Sequence, residues 1–151
     1  MTDPTPVAIV TGGARRIGAE TVCHLHLRGL NVLIHYRASS DDAIALADAL
    51  NQTRPGSAHT LGADLADPDV GERLKTTALE AFGRIDLLVN NASSFYPTPV
   101  HETTHEQFED LMISNLQGPF VVSKACAPVI SQHHGAIINL VDIHAMVPLK
   151  D

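Results

Sequence analysis

The sequence has no tryptophan, two cysteines and six aromatic residues in all. Cys23 and Cys126 lie far apart with no C-x-x-C pair, which argues against a disulfide scaffold or a thiolate zinc site and predicts two buried free thiols. No apolar run reaches the roughly 18 residues of a membrane span. The start, Met1-Thr2-Asp3-Pro4, lacks the basic and apolar regions of a secretory leader, so a cytoplasmic protein is expected. Basic residues are also scarce: the net charge of −7 disfavours a nucleic-acid binder. Its distribution is uneven. Residues 1–40 hold four bases (Arg15, Arg16, Arg28, Arg37) against two acids, whereas the remainder holds six against fifteen. A local positive region in an acidic chain points to a small anionic ligand.

With 44 % hydrophobic and 18 % charged residues the composition is globular. At roughly 100 to 200 residues per domain, 151 residues predict one domain, 1–151. A β-then-α rhythm runs along it. Strands are expected at Val7–Thr11, Asn31–Tyr36, Ala58–Ala63, Ile85–Asn90 and Gly135–Asp142. Helices are expected from about Arg16 to Arg28, over 41–50, from Asp67 (N-cap, with Pro68 in the first helical position) to about Phe82, and as one long region from about Thr104 to Gln132. Runs such as Val32-Leu33-Ile34 and Leu87-Leu88-Val89 are apolar on successive residues, as in parallel strands covered on both faces. Right-handed crossovers with the usual reversal of direction after the third strand give a doubly wound α/β sheet of order 3-2-1-4-5, with its ligand crevice at the carboxyl ends of strands 1 and 4.

Thr11-Gly12-Gly13-Ala14-Arg15-Arg16-Ile17-Gly18 falls between the first strand and the first helix, where a Gly-rich turn presents N–H groups to a pyrophosphate. After the second strand, His35-Tyr36-Arg37-Ala38-Ser39-Ser40 contains no acid to bind a ribose 2′-hydroxyl. Arg37, Ser39 and Ser40, with Arg16 or His35 nearby, instead suit a 2′-phosphate, which predicts NADP(H) over NAD(H).

The turn resembles the T-G-x-x-x-G-x-G segment of short-chain dehydrogenases/reductases, matching at Thr11, Gly12 and Gly18, with Arg16 where most members carry the middle glycine. Asn90-Asn91-Ala92-Ser93 resembles the family's N-N-A-G segment. Together with Ser93-Ser94-Phe95-Tyr96-Pro97 and Val141-Asp142-Ile143-His144, these residues resemble the pteridine reductase subgroup over nearly the whole chain. That resemblance implies a Rossmann-like fold and NADPH-dependent reduction of a pterin or folate. It implies a cofactor set of Thr11, Gly12, Arg15, Arg16, Ile17, Gly18, His35, Tyr36, Arg37, Ser39, Asp64, Leu65, Asn91, Ala92 and Ser93. Substrate contacts fall on Arg16, Ser93, Phe95 and Asp142, and homo-oligomers are implied. Asn115 takes the position whose backbone supports a water and lysine relay, or it marks a helix kink. Asp142 shares in proton supply to the ring, or it caps the loop after the fifth strand. Asp64 contacts adenine, or it caps its own loop. Phe95 stacks the pterin against the nicotinamide, or Phe95 and Tyr96 plug the core beneath a proline-stiffened loop.

The only tyrosines are Tyr36 and Tyr96, and neither begins the family's Tyr-x-x-x-Lys motif. Residues 1–151 are therefore expected to be the cofactor-binding portion of a longer enzyme, with little reductase activity alone and a tendency to associate or aggregate. A non-catalytic NADP(H)-binding module and a reductase of another carbonyl substrate are the alternatives. His101-Glu102-Thr103-Thr104-His105 formally matches the H-E-x-x-H zinc signature. Thr103-x-x-Glu106 and Thr104-x-x-Gln107 are capping-box patterns that start a helix between the histidines, so no metal site is expected.

Overall fold

The computed structural model describes residues 4–147, without the side chain of Ala145. The elements run β1 (Val7–Val10), α1 (Arg16–Leu27), β2 (Asn31–Tyr36), α2 (Ser40–Thr53), β3 (Ala58–Gly62), α3 (Val70–Phe82), β4 (Leu87–Asn90), α4 (His105–Met112), a π-helical turn (Ile113–Gln117), α5 (Gly118–Gln132) and β5 (Ala136–Asn139). A short 3-10 turn covers Ile143–Ala145. All strand pairs are parallel, in the expected order β3-β2-β1-β4-β5.

Successive residues of the central strands point to opposite faces, and both faces are dry. Ile9, Leu33 and Leu88 pack against Val70, Leu74 and Ala78 of α3 and Val122, Cys126 and Ile130 of α5. Ala8, Val10, Val32, Ile34 and Val89 pack against Val22 of α1 and Ala43 and Ala47 of α2. This two-sided burial is why these strands are continuously apolar. Cys126 sits in the first of these cores, where burial pushes its thiol up to about 12 and keeps it unreactive. Cys23 is only half-buried, contrary to the expectation of two buried thiols.

Several expected boundaries move by a few residues; three differences have a clear local reason. The third helix starts at Val70 with Asp69 as N-cap rather than at Pro68, because residues 64–70 fold into successive turns (Asp67 N–H to Asp64 O, Val70 N–H to Asp67 O). The carboxylate of Asp67 is taken by Arg73 at 3.1 Å. The fifth strand ends at Asn139 rather than Asp142: the Leu140 N–H makes one last bond, to Asn90 O, and beyond Asn90 the neighbouring strand has turned away. The long helical region is not one helix. It changes to π-type winding over Ile113–Gln117 and restarts as α5 with Pro119 in its first turn.

Candidate active site

The carboxyl ends of β1 and β4 are joined by polar side chains that leave few loose ends. Thr11 is buried; its hydroxyl donates to Val89 O and accepts from the Asn91 and Ala92 N–H groups at 3.0 and 3.1 Å. The Asn91 side-chain amide donates to Thr11 O and Gly12 O at 2.9 and 3.0 Å. The first turn is thereby tied to the start of the loop after β4. Gly12 has φ +61, and a Cβ on Gly18 would stand 2.1 Å from Gly12 O, so the turn folds this tightly only with glycine at both places.

His35 reaches under the same turn. It is 2 % exposed, and both ring nitrogens are engaged: Nδ1 accepts from the Gly12 N–H at 3.2 Å, and Nε2 lies 3.0 Å from Ala63 O. Acceptance at Nδ1 requires the neutral ring with its proton on Nε2. Burial pushes its pKa below the ordinary imidazole value, partly offset by the Ala63 bond. His35 therefore props the turn from below and has no ring nitrogen left for a phosphate.

A cavity of about 460 Å³ opens above the turn, lined by Gly12, Arg15, Arg16, Ile17, Gly18, His35, Arg37, Asp64, Leu65, Asn91, Ala92, Ser93, Ser94 and Ser114. Its volume is that of a small-molecule site. Arg15 is largely neutralised by Asp42 at 2.5 Å. Arg16 and Arg37 are exposed and make no ion pair among the described residues. Arg16 has φ +50, a left-handed backbone that is uncommon for a side-chain-bearing residue. Glycine would take that conformation without strain, so the guanidinium is held here against a backbone cost. Asp64 is the cavity's one carboxylate; its Oδ1 also accepts from the Ala66 N–H at 3.0 Å, capping the loop. Of the sequence-predicted cofactor residues, Thr11, Tyr36 and Ser39 stand outside the lining. Thr11 braces the turn, the Tyr36 hydroxyl lies 3.4 Å from Ser40 Oγ, and Ser39 precedes α2.

A second cavity, of about 860 Å³, shares the wall formed by Ile17, Asn91, Ala92, Ser93 and Ser94. Phe95, Leu116, Phe120, Leu140 and Val141 give it an apolar side; Asn115 and Asp142 are polar members. Phe95 is 76 % exposed, so its ring stands in the opening instead of plugging the core. Asp142 is the only carboxylate of this lining, and its Oδ1 accepts from the His144 N–H at 2.8 Å. Asn115 lies in the π-helical turn, a common distortion at functional sites. Its amide donates to Ser94 O at 2.9 Å and accepts from the Ser94 N–H at 3.1 Å, pinning the loop at one residue.

The structure thus gathers Arg16, Arg37, Asp64 and Ser93 around the first cavity and Ser93, Phe95, Asn115 and Asp142 around the second. The sequence reading missed the paired hydrogen bonds of Asn91 and the apolar wall of Leu116, Phe120 and Val141; spacing four residues apart along the helical region was the available signal for the first two. The H-E-x-x-H segment is broken as its capping pattern implied. Thr104 accepts from the Gln107 N–H while the Gln107 side chain accepts from the Thr104 N–H, so His105 opens α4 and His101 lies outside it.

A Gly-rich turn at the switch of a 3-2-1-4-5 parallel sheet defines the class. The chain belongs to the short-chain dehydrogenase family, whose model matches residues 6–150. Among its relatives it is similar to pteridine reductase 1 of Leishmania tarentolae, with 35 % identity covering 98 % of this chain and 65 % of that protein. It is also similar to a short-chain type dehydrogenase/reductase of Picea abies (34 %, 95 % and 56 %) and to a 3-oxoacyl-[acyl-carrier-protein] reductase of Synechocystis (34 %, 93 % and 57 %). The chain spans between half and two thirds of the length of the curated relatives it matches.

Proposed function

We propose that this chain forms the NADP(H) site and part of the substrate site of an oxidoreductase that reduces a pterin, dihydropterin or folate. The observation that carries the cofactor choice is the pair of unpaired cations, Arg16 and Arg37, on one cavity whose only acid already caps its own loop. A 2′-phosphate carries about two negative charges and accepts charge-assisted bonds from such groups; a bare ribose hydroxyl gains nothing from them. The Gly12–Gly18 turn brings backbone close to the diphosphate, and Asn91 with Thr11 keeps that turn fixed. The chemistry NADPH supplies when bound is hydride transfer.

On the substrate side, Phe95 offers an exposed flat ring, and Ser93 sits on the wall common to both cavities. Stacking on Phe95 suits a flat heteroaromatic ring better than a flexible acyl chain. Asp142 is the one carboxylate on that cavity, and we read it as sharing in proton supply to that ring. The relative named pteridine reductase 1 supports this reading, and the relative named 3-oxoacyl-[acyl-carrier-protein] reductase supports the broader one of carbonyl reduction.

A second reading, a cofactor-binding module without turnover, is favoured by one observation: neither Tyr36 nor Tyr96 lines either cavity. The exposed apolar residues Phe108, Met112, Leu116 and Phe120, four apart along the helical region, support self-association. Purified protein titrated with NADPH and then with biopterin, and assayed for NADPH oxidation, separates the readings. Binding of both without turnover is the expected result for this chain. Failure to bind biopterin at saturating NADPH removes the pterin assignment, and rapid oxidation removes the binding-module reading.

A further inference from the structure

The loop that carries Phe95 alternates in exposure: Ser93, Phe95 and Pro97 are exposed, whereas Ser94, Tyr96 and Thr98 are half-buried. This is the period of an extended chain, in which neighbours face opposite ways. An exposed phenylalanine on an unpaired segment has every incentive to roll inward, since burial of its ring is favourable and no strand partner holds the backbone. Two attachments to the helical region, and a turn at the end of the loop, oppose that roll. Asn115 holds both backbone groups of Ser94. The Tyr96 hydroxyl reaches α4, where its one proton is offered between Gln107 O at 3.1 Å and the Asp110 carboxylate at 3.0 Å. Farther on, the Glu102 and Thr103 N–H groups and the Thr103 hydroxyl all donate to Pro99 O, just before the Thr104 cap of α4. Only the Tyr96 attachment acts through a side chain within the 93–97 stretch, on the face opposite Phe95.

We propose that Tyr96 is a positioning residue for the substrate: its hydroxyl, tied to Asp110 and Gln107 O, fixes the twist of residues 93–97 so that Phe95 and Ser93 face the second cavity. This rests on the pterin reading for the identity of the ligand and deepens it. Tyr96 lines neither cavity, so it acts through Phe95 and not by touching the ring. The single hydroxyl proton is shared between two acceptors on α4, and α4 is continuous with the π-helical turn that bears Asn115. The loop and the helical region therefore form one unit on the substrate side, separate from the Thr11–Asn91 ties of the cofactor turn.

The test compares wild type with Tyr96→Phe, Asp110→Ala and Asp110→Asn. Dissociation constants are measured for NADPH and for biopterin at saturating NADPH, with amide hydrogen exchange followed over residues 94–98. Tyr96→Phe should weaken biopterin about tenfold, the loss expected from one hydrogen bond, and change NADPH less than about twofold. Exchange at 94–98 should quicken. Asp110→Ala should fall between the two, and Asp110→Asn, which keeps an acceptor oxygen, should stay near wild type. Unchanged biopterin affinity in Tyr96→Phe overturns the proposal, as does a parallel loss of NADPH and biopterin, which marks a general structural role. A wild type that binds NADPH but no biopterin sinks the pterin reading instead. In that event unchanged exchange in Tyr96→Phe overturns the brace as well, whereas quickened exchange upholds it for another ligand.

Discussion

On the β2 side of the crevice, every residue of β1 and the middle of β2 are buried, and Thr11, His35 and Asn91 tie the first turn to the loops after β3 and β4. On the β5 side, Ala136, Ile138 and Asn139 are exposed within the strand itself, and Leu140, Val141 and Ile143 follow with their side chains largely open. The two cavities inherit this difference. The first cavity is walled by a braced turn and carries two exposed arginines, Arg16 and Arg37, without an ion-pair partner among the described residues; the second is larger and walled by apolar side chains that stand in the opening. On the proposed reading, dinucleotide binding belongs to the braced half, and substrate recognition to a loop held from behind.

The rigid half should break first when its closest approach is crowded. Gly18→Ala places a methyl 2.1 Å from Gly12 O and 2.7 Å from the Asn91 amide. About 3 kcal/mol of stability should go, at the upper end for overpacking, together with NADPH binding; chemical denaturation and a titration read both. Thr11→Val keeps the shape and removes the hydroxyl, leaving the Asn91 and Ala92 N–H groups without their acceptor. A loss of about 1 to 3 kcal/mol is expected, with biopterin and NADPH weakened together because the turn and the shared wall both move.

His35 gives this half an acid limit. Its folded pKa lies below the ordinary value of about 6.5. The unfolded chain therefore binds the proton first as pH falls. Stability from this group is complete above pH about 6.5, declines below it, and is fully lost once pH passes the folded value. His26 is shifted the same way, by burial and then by Arg54, so the two add. Melting temperatures from pH 8 down to 5 should fall for wild type and fall less for His35→Gln. The smallest effect concerns Arg16. Arg16→Gly relieves the left-handed backbone, giving about 1 kcal/mol of stability at most, while NADPH binds less tightly; opposite signs in the melting and binding measurements would separate strain from charge.

Much of the rigid half was legible in the sequence because its signals are local. Four apolar residues before a Gly-rich turn mark a buried strand and a tight strand-to-helix turn, and the strand order follows from right-handed crossovers with a reversal after the third strand. Arg16 and Arg37 were readable as two cations beyond the ends of β1 and β2, and both line the first cavity. The role of His35 was not: its ring points inward to a turn 23 residues away, and nothing in His-Tyr-Arg tells which side of the strand the imidazole takes. The same holds on the other half. The Asn115–Ser94 bonds, the Tyr96–Asp110 bond and the π-helical turn depend on contacts across loops, and periodicity across 104–132 reads as one helix whether or not an extra residue is wound in. Asp142 was anticipated both as an acid and as a loop cap, and its position permits each.

The central claim is that the cations of the rigid half choose the phosphorylated dinucleotide without help from the substrate side. Parallel titrations of wild type and Arg37→Ala with NADPH and NADH test it most directly. The account predicts that wild type prefers NADPH by tenfold or more, as about 1.4 kcal/mol or more from a charge-assisted contact implies. In Arg37→Ala most of that preference should vanish through weaker NADPH binding, with NADH unchanged. Equal affinity of wild type for the two dinucleotides, or a preference untouched by Arg37→Ala, would contradict it.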